Sequence, residues 1–349
     1  MALTVRYMSQ AGAGIKDGLS EATAWGLADH NANVVPGMLV HMKGTVAAPL
    51  TTNMTYAIDG TDTDPIHYMG YSVSPGDGSR CYCTGYQYFN GDVNTTENWE
   101  VAIPPAQTVD AVRIGGAKQT LKNVKAGAPG QNVSWGSMIA VMAGAGGTTL
   151  IDCEMESVAP TQSSSVFRIE GAGASANLIG CRLKVSGGAA PANGCIYIAS
   201  GAVEVNIVDC VVIGDGVCDG VSSVPYTANV RFVGNTFYNC DKAISFPNGW
   251  GDVTVTNAQL IANNLLHTCA YGVHNAYTPG TTGLAFLNNS FFAVTSARYS
   301  SIHEAYQIND VVCSVDPCVD AAAGNFDLNN KVGGGADVRA NALEAPVLL

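Results

Sequence analysis

The chain repeats itself at a step too short for a domain. LIDCEM (150–155), LIGCRL (178–183), IVDCVV (207–212), FVGNTF (232–237), IANNLL (261–266) and FLNNSF (286–291) share one pattern. Their fourth residues are Cys153, Cys181, Cys210, Asn235, Asn264 and Asn289, separated by 28, 29, 25, 29 and 25 residues. A period of this size marks a repeat architecture in which each unit buries its apolar face only by stacking on the next. LKNVKA (121–126) fits less well as an earlier copy, because Lys122 falls in a column expected to face inward.

The columns have separate physical meanings. Two residues before the anchor stand Ile151, Ile179, Val208, Val233, Ala262 and Leu287, and two after it stand Met155, Leu183, Val212, Phe237, Leu266 and Phe291. Both columns are expected to face a core. The column just before the anchor holds Asp152, Gly180, Asp209, Gly234, Asn263 and Asn288. Gly, Asn and Asp best tolerate left-handed backbone, so this column is expected to be a bend. The segments lack i, i+3, i+4 spacing and are short and apolar, which reads as strand, not helix. Two short strands joined by a one-residue bend, returning every 25–29 residues, describe a coil that closes one turn per repeat. Its turns stack at about 4.8 Å, so like residues form interior ladders. Asn235, Asn264 and Asn289 can then pass amide hydrogen bonds along the stack, with Cys153, Cys181 and Cys210 as small hydrophobes in the equivalent line.

These repeats resemble the right-handed parallel β-helix proteins of pectate-lyase-like fold. DGLSEATAWGLADHNANVVPGMLVHMKGTV (17–46) is similar to the family's N-terminal cap: a short amphipathic helix, with Ala24, Leu27, Ala28 and Val34 near one face, then Pro-Gly and the first strand. Such a helix covers the open end of the coil and its unpaired strand edge. GTDTDPIHYMGYS (60–72) and VDPCVDAAAGNFDLNNKVGGGADVRA (315–340) also resemble segments at the ends of such proteins. The resemblance implies an all-β, right-handed single-stranded parallel β-helix with an N-terminal helical cap. The expected divisions are cap helix and first strand (1–50), loop-rich early turns (51–108), regular turns (109–315) and a C-terminal edge segment with tail (316–349). It specifies a fold far better than an activity.

Composition narrows the function classes. Charged residues make up 13% of the chain, against roughly 25% in an average protein, and the net charge is −12. With 16 basic residues and no basic run, a nucleic-acid partner is not expected. The longest uncharged stretch, residues 126–151, is broken by Pro, Gln, Asn and many Gly, so no membrane span is expected. The start, MALTVRYMSQAGAGIKDG, shows no basic-then-apolar leader pattern, and folding in a cytoplasm is expected. The 11 cysteines, an odd number without a CxxC pair, then read as reduced core residues.

The resemblance directs attention to carbohydrate chemistry. Pectate-lyase relatives are expected to show a calcium-binding acidic cluster beside a basic residue, and polygalacturonase relatives the strings NTD, DD, GHG and RIK. None of the four strings occurs, and RIE (168–170) is the nearest fragment. His274, His303, Glu304 and Asp310, in or near the last turns, are the candidates for acid–base catalysis, against a reading as scattered outer-loop residues. Asp209, Asp215 and Asp219 are the candidate metal ligands, with Asp59, Asp62 and Asp64 a similar group, although oxygen sites usually gather more carboxylates. Tyr82, Tyr86, Tyr88 and Phe89 can stack on sugars or pack against the coil.

No cofactor is expected. The function expected from these features is a non-enzymatic structural protein of a bacteriophage virion: a homotrimeric spike decorating capsid or tail beside other virion proteins, made in the host cytoplasm, with a host surface glycan as a further candidate partner. The alternative is a polysaccharide lyase or hydrolase, such as a glycan-degrading tailspike, and a third reading is an exported adhesin. Two or more carboxylates within roughly 5–10 Å in an outer groove separate the enzyme from the structural protein.

Overall fold

The computed structural model describes residues 3–102, 110–127, 136–158, 165–186, 194–223, 229–246, 259–275, 284–300 and 307–342. The chain is a parallel β-helix. A 20-stranded sheet and a 10-stranded sheet hold the coil together, and among the described residues their strands pair in parallel. Each regular turn contributes a strand to a first ladder, bends once, contributes to a second ladder, and crosses to a third. For one turn these are Thr148–Ile151, Glu154–Val158 and Ser165–Ile169.

The bend separates the first two ladders. Asp152, Gly180, Asp209, Gly234, Asn263 and Asn288 have φ between 51° and 71°. Left-handed backbone at one residue turns the strand without spending a loop on it. The anchors behind the bend are all buried. Asn235 donates its Nδ2 to Ile207 O (2.8 Å) and to Asn264 Oδ1 (3.0 Å), and Asn264 repeats this with Phe232 O (2.9 Å) and Asn289 Oδ1 (3.1 Å). Each side-chain oxygen also accepts a backbone N–H from the preceding turn, so buried backbone groups exposed by the bend find partners. Cys153, Cys181 and Cys210 fill the same line, and all 11 cysteines are buried and free.

One interior column differs from expectation. The core line of the first ladder is Leu150, Leu178, Ile207, Phe232, Ile261 and Phe286, all 0% exposed, three residues before each anchor. The residue two before the anchor lies on the other side of the strand, where Ile179 is 41% exposed while Val233 and Ala262 are covered from outside the coil. Strand alternation decides this: with Leu150 inside, Ile151 must be outside. Lys122, paired in register with Ile151, is therefore an ordinary outward residue, and LKNVKA is a true turn with its bend at Asn123 (φ 52°).

The N-terminal cap is real but small. Helix Leu27–Asn33 is seven residues long, and it buries His30 against Tyr56 and Tyr68, at ring separations of 5.8 and 5.6 Å. Ala28 is exposed, while Trp25 and Val34 join the core. Strand Met38–Lys43 is not the first, because Thr4–Ser9 pairs with it in parallel and forms the edge. Residues before the helix close that edge: Tyr7 N donates to Gly18 O (2.8 Å), Ser9 N to Trp25 O (3.0 Å) and Trp25 N to Tyr7 O (2.8 Å). At the other end an antiparallel hairpin, Cys318–Asp320 with Asn325–Leu328, folds back onto the outside of the second ladder, packing on Leu265 and Tyr238. Helix Gly335–Asn341 follows it.

Candidate active site

The outer face of the second ladder changes character along the coil. In the early turns its outward row is Tyr82, Glu100, Lys125, Glu154 and Arg182, each beside the next by strand register. Glu156 and Lys184 form a second row two residues further along each strand. The reason is local alternation: Met155, Ser157, Leu183 and Val185 fill the coil, so Glu154, Glu156, Arg182 and Lys184 must stand outside.

Every carboxylate in this groove touches a cation. Lys125 Nζ lies 2.9 Å from Glu100 Oε1, Lys184 Nζ 2.8 Å from Glu156 Oε1, and Arg80 Nη2 2.6 Å from Glu154 Oε1. Arg80 is also anchored from below. Its Nε and Nη2 donate to Asn123 Oδ1 at 3.1 and 2.6 Å, while Asn123 Nδ2 donates to Asn98 Oδ1 at 2.7 Å. Asn98 and Asn123 are both left-handed bends, so the geometry that turns the chain also fixes the guanidinium. Around Arg80, Tyr82, Glu100 and Asn123 opens a pocket of about 650 Å³, walled by Thr45, Val46, Ser72, Val73 and Gly78. It continues toward a smaller depression over Lys125, Glu154, Glu156, Arg182 and Lys184. Beyond Arg182 the groove ends, because that guanidinium lies 5.7 Å from the ring of Phe326 on the C-terminal hairpin.

These ion pairs are partly exposed, Glu154 at 47% and Lys184 at 40%. Pairs of this kind contribute little, about 0–1 kcal/mol. A ligand carboxylate can therefore displace a glutamate from Arg80 or Lys125 at small cost. Glu154 and Glu156 stand two residues apart on the outer face of one strand, each carboxylate held by its own cation.

The residues singled out in the sequence lie elsewhere. Asp310 is the next rung of the asparagine ladder: its Oδ1 accepts Asn289 N (2.9 Å) and its Oδ2 accepts the Tyr299 hydroxyl (2.6 Å). Burial raises its pKa. His303 and Glu304 lie outside the described residues. His274 stands on the third ladder, where burial first, then Lys242, lowers its pKa. Asp219 is near it, ion-paired to Lys242 (3.2 Å) and with its pKa raised by burial. Asp209 occupies a bend, and Asp215 accepts the Val217 and Cys218 amides, both at 3.2 Å. The three aspartates do not converge on a common point. Asp62 pairs with Lys118 (2.7 Å), and Asp59 accepts Asp92 N (2.9 Å). The aromatic cluster divides: Phe89 stacks on Tyr56 inside the coil at 4.6 Å, Tyr82 faces the charged groove, and Tyr88 borders a separate depression with Arg113.

A calcium site of the kind expected of pectate-lyase relatives does not fit the groove. Its acids alternate with cations, and among the described residues the one set of metal-type side chains that converges is His267, Asp316 and Cys318, away from it. A thiol and an imidazole are poor calcium donors.

Comparison with solved structures finds the same fold in two lyases. The chain is similar to the pectate lyase Pel9A, with a TM-score of 0.54 and 16% identity over 83% of this chain and 80% of that one. It is also similar to a rhamnogalacturonan lyase, with a TM-score of 0.50 and 13% identity over 96% and 98% of the two chains. No family model matches the chain. No curated protein matches it. At these identities the likeness concerns the fold. The expectation of a non-enzymatic virion spike is corrected by this comparison, since both of these structures, alike over most of their length, are of lyases. The charge-poor composition that suggested a spike does not rule out a local charged face: Arg80, Glu100, Lys125, Glu154, Glu156, Arg182 and Lys184 gather in one groove.

Proposed function

We propose that the protein is a polysaccharide lyase that cleaves a uronate-containing glycan in the second-ladder groove. The observation that carries this reading is the placement of Arg80, Lys125, Arg182 and Lys184, four of only 16 basic residues in an acidic chain, along one open face with carboxylates between them. An anionic chain is what such a face attracts, and with turns about 4.8 Å apart the row alternates acid and base, so that Lys125 and Arg182 stand two turns from each other. The lyases of the same fold support the reaction class.

The chemistry follows from the groups present. The Arg80 fork takes the uronate carboxylate in place of Glu154, and neutralising that charge makes the hydrogen on the adjacent carbon removable. Glu154, released but held nearby, takes that proton as general base. The C–H electron pair becomes a C=C bond, the glycosidic C–O bond breaks, and the leaving oxygen takes a proton from the Tyr82 hydroxyl. Tyr82 also offers a ring face to the sugar. Incubation with polygalacturonate, rhamnogalacturonan and alginate is expected to give a rising ultraviolet absorbance from the unsaturated product on at least one of them. New reducing ends without that absorbance would replace elimination by hydrolysis, and no cleavage of any acidic glycan would remove the enzyme reading.

A further inference from the structure

Two turns before the second ladder ends, one of its side chains meets two from the C-terminal segment. His267 Nε2, an Asp316 carboxylate oxygen and Cys318 Sγ all lie within 4.8 Å of one another. His267 is 3% exposed and Cys318 2% exposed. We propose that these three residues form a site for a divalent transition metal of the zinc class, which fastens the C-terminal hairpin to the coil.

The donor set points to that class of ion. Imidazole, thiolate and carboxylate together suit zinc, whereas calcium and magnesium take oxygen alone. Three donors also leave room for a fourth. A water can complete a tetrahedron, and Cys313, buried and near Cys318, is the neighbouring thiol. The surroundings hold the donors in place. His267 Nδ1 lies 2.7 Å from Thr268 Oγ1, and the ring is flanked by Tyr238 and Phe292 at 5.2 and 4.9 Å. When Nδ1–H donates to Thr268, the Nε2 lone pair faces Asp316 Oδ1 at 3.0 Å, and a cation between the two atoms resolves that opposition. A ligating histidine with its other nitrogen bonded to an oxygen is the usual arrangement. Asp316 Oδ1 also accepts Cys318 N at 2.8 Å, so the turn that starts the hairpin folds two donors to the same side. The ion would join residues 49 apart in sequence without any other covalent tie.

The inference does not depend on the lyase reading. Titration of the reduced full-length protein with Co²⁺ alone is expected to give a thiolate-to-cobalt charge-transfer band that saturates at one equivalent and is displaced by Zn²⁺. Cys318→Ser is expected to abolish the band, and His267→Gln to weaken Co²⁺ binding by more than about 100-fold, beyond the loss an outer-shell partner causes. Zn²⁺ should raise the melting temperature of the parent and not of either variant. Absence of a stoichiometric band in the parent overturns the proposal, as does a band that survives in Cys318→Ser. Should Cys318→Ser fail to fold, undiminished Co²⁺ affinity in His267→Gln overturns it independently.

Discussion

The second ladder has two halves built on the same interior and finished differently outside. In the early turns the outward positions are Glu100, Lys125, Glu154, Arg182, Glu156 and Lys184, and the face is open. In the later turns the register-matched positions are Val211, Thr236, Leu265 and Ser290, with Ile213, Tyr238, His267 and Phe292 beside them. Here the C-terminal hairpin lies over the ladder, and Leu265 is only 4% exposed. The inward residues, Met155, Leu183, Val212, Phe237 and Leu266, are apolar throughout. The difference teaches that the coil dictates only every second residue. The remaining positions are free to become a binding face where they stay charged, or a docking face where they are apolar.

The largest effect expected is on the open half. Arg80→Ala removes the fork that receives the substrate carboxylate, and kcat/KM on the cleaved glycan should fall by about 100-fold or more. Thr236→Ala, on the covered half, should leave it within about twofold. Equal losses from both would erase the distinction between the halves.

The interior should ignore that distinction. A Cβ on Gly234 would overlap Asp209 Oδ1, and one on Gly180 would lie 2.6 Å from Asp152 Oδ1, both at positive φ. Gly234→Val and Gly180→Val should each cost roughly 1–3 kcal/mol in denaturant unfolding, chiefly from a β-branched residue held at positive φ, since the aspartate carboxylates can swing aside. Asn263→Gly, already left-handed at φ 55°, should be mild. A neutral Gly234→Val would show that the bend does not constrain the turn.

A smaller and local effect is expected where the hairpin docks. Phe326 touches Tyr238 at 5.3 Å and Arg182 at 5.7 Å, and is partly exposed. Phe326→Ala should cost about 1–2 kcal/mol, read as faster amide exchange in Cys318–Leu328 with the coil unaffected. Loss of protection along the whole second ladder would mean that the hairpin and coil unfold as one unit.

Much of this was legible in the sequence, and the limit was geometric. The period and the Gly/Asn/Asp bend set the coil, because a left-handed residue leaves a compositional mark. The groove left no local mark, since Tyr82, Glu100, Lys125, Glu154 and Arg182 are brought together only by stacking. A signal was nonetheless present. Accepting LKNVKA as a turn and reading the residue after each anchor gives Lys125, Glu154, Arg182, Val211, Thr236, Leu265 and Ser290, charged and then uncharged. Assigning Ile151 and Ile179 to the core hid it, because that put Lys122 on the wrong face. Asp310 reads as a catalytic candidate in the sequence because the repeat pattern loosens around it, whereas in the structure Asn309 (φ 55°) is the bend before it.

The smallest effect expected tests Asp310 as the end of the interior line. Burial raises its pKa above the ordinary value, so between that value and the raised one the folded state holds more protons than the unfolded state. Stability then falls as pH rises through this window. Asp310→Asn removes that titration and supplies the side chain that Asn235, Asn264 and Asn289 already use. Its Oδ1 can accept Asn289 N, and its Nδ2 can donate to Tyr299, whose hydroxyl reverses its role. The variant should be slightly more stable than the parent at pH 7, by up to about 1 kcal/mol, with a flatter pH dependence across the carboxylate range, and lyase activity should be unchanged because Asp310 is far along the coil from Arg80. A large loss of activity with stability intact would return Asp310 to the catalytic candidates and move the site from the early turns to the last ones.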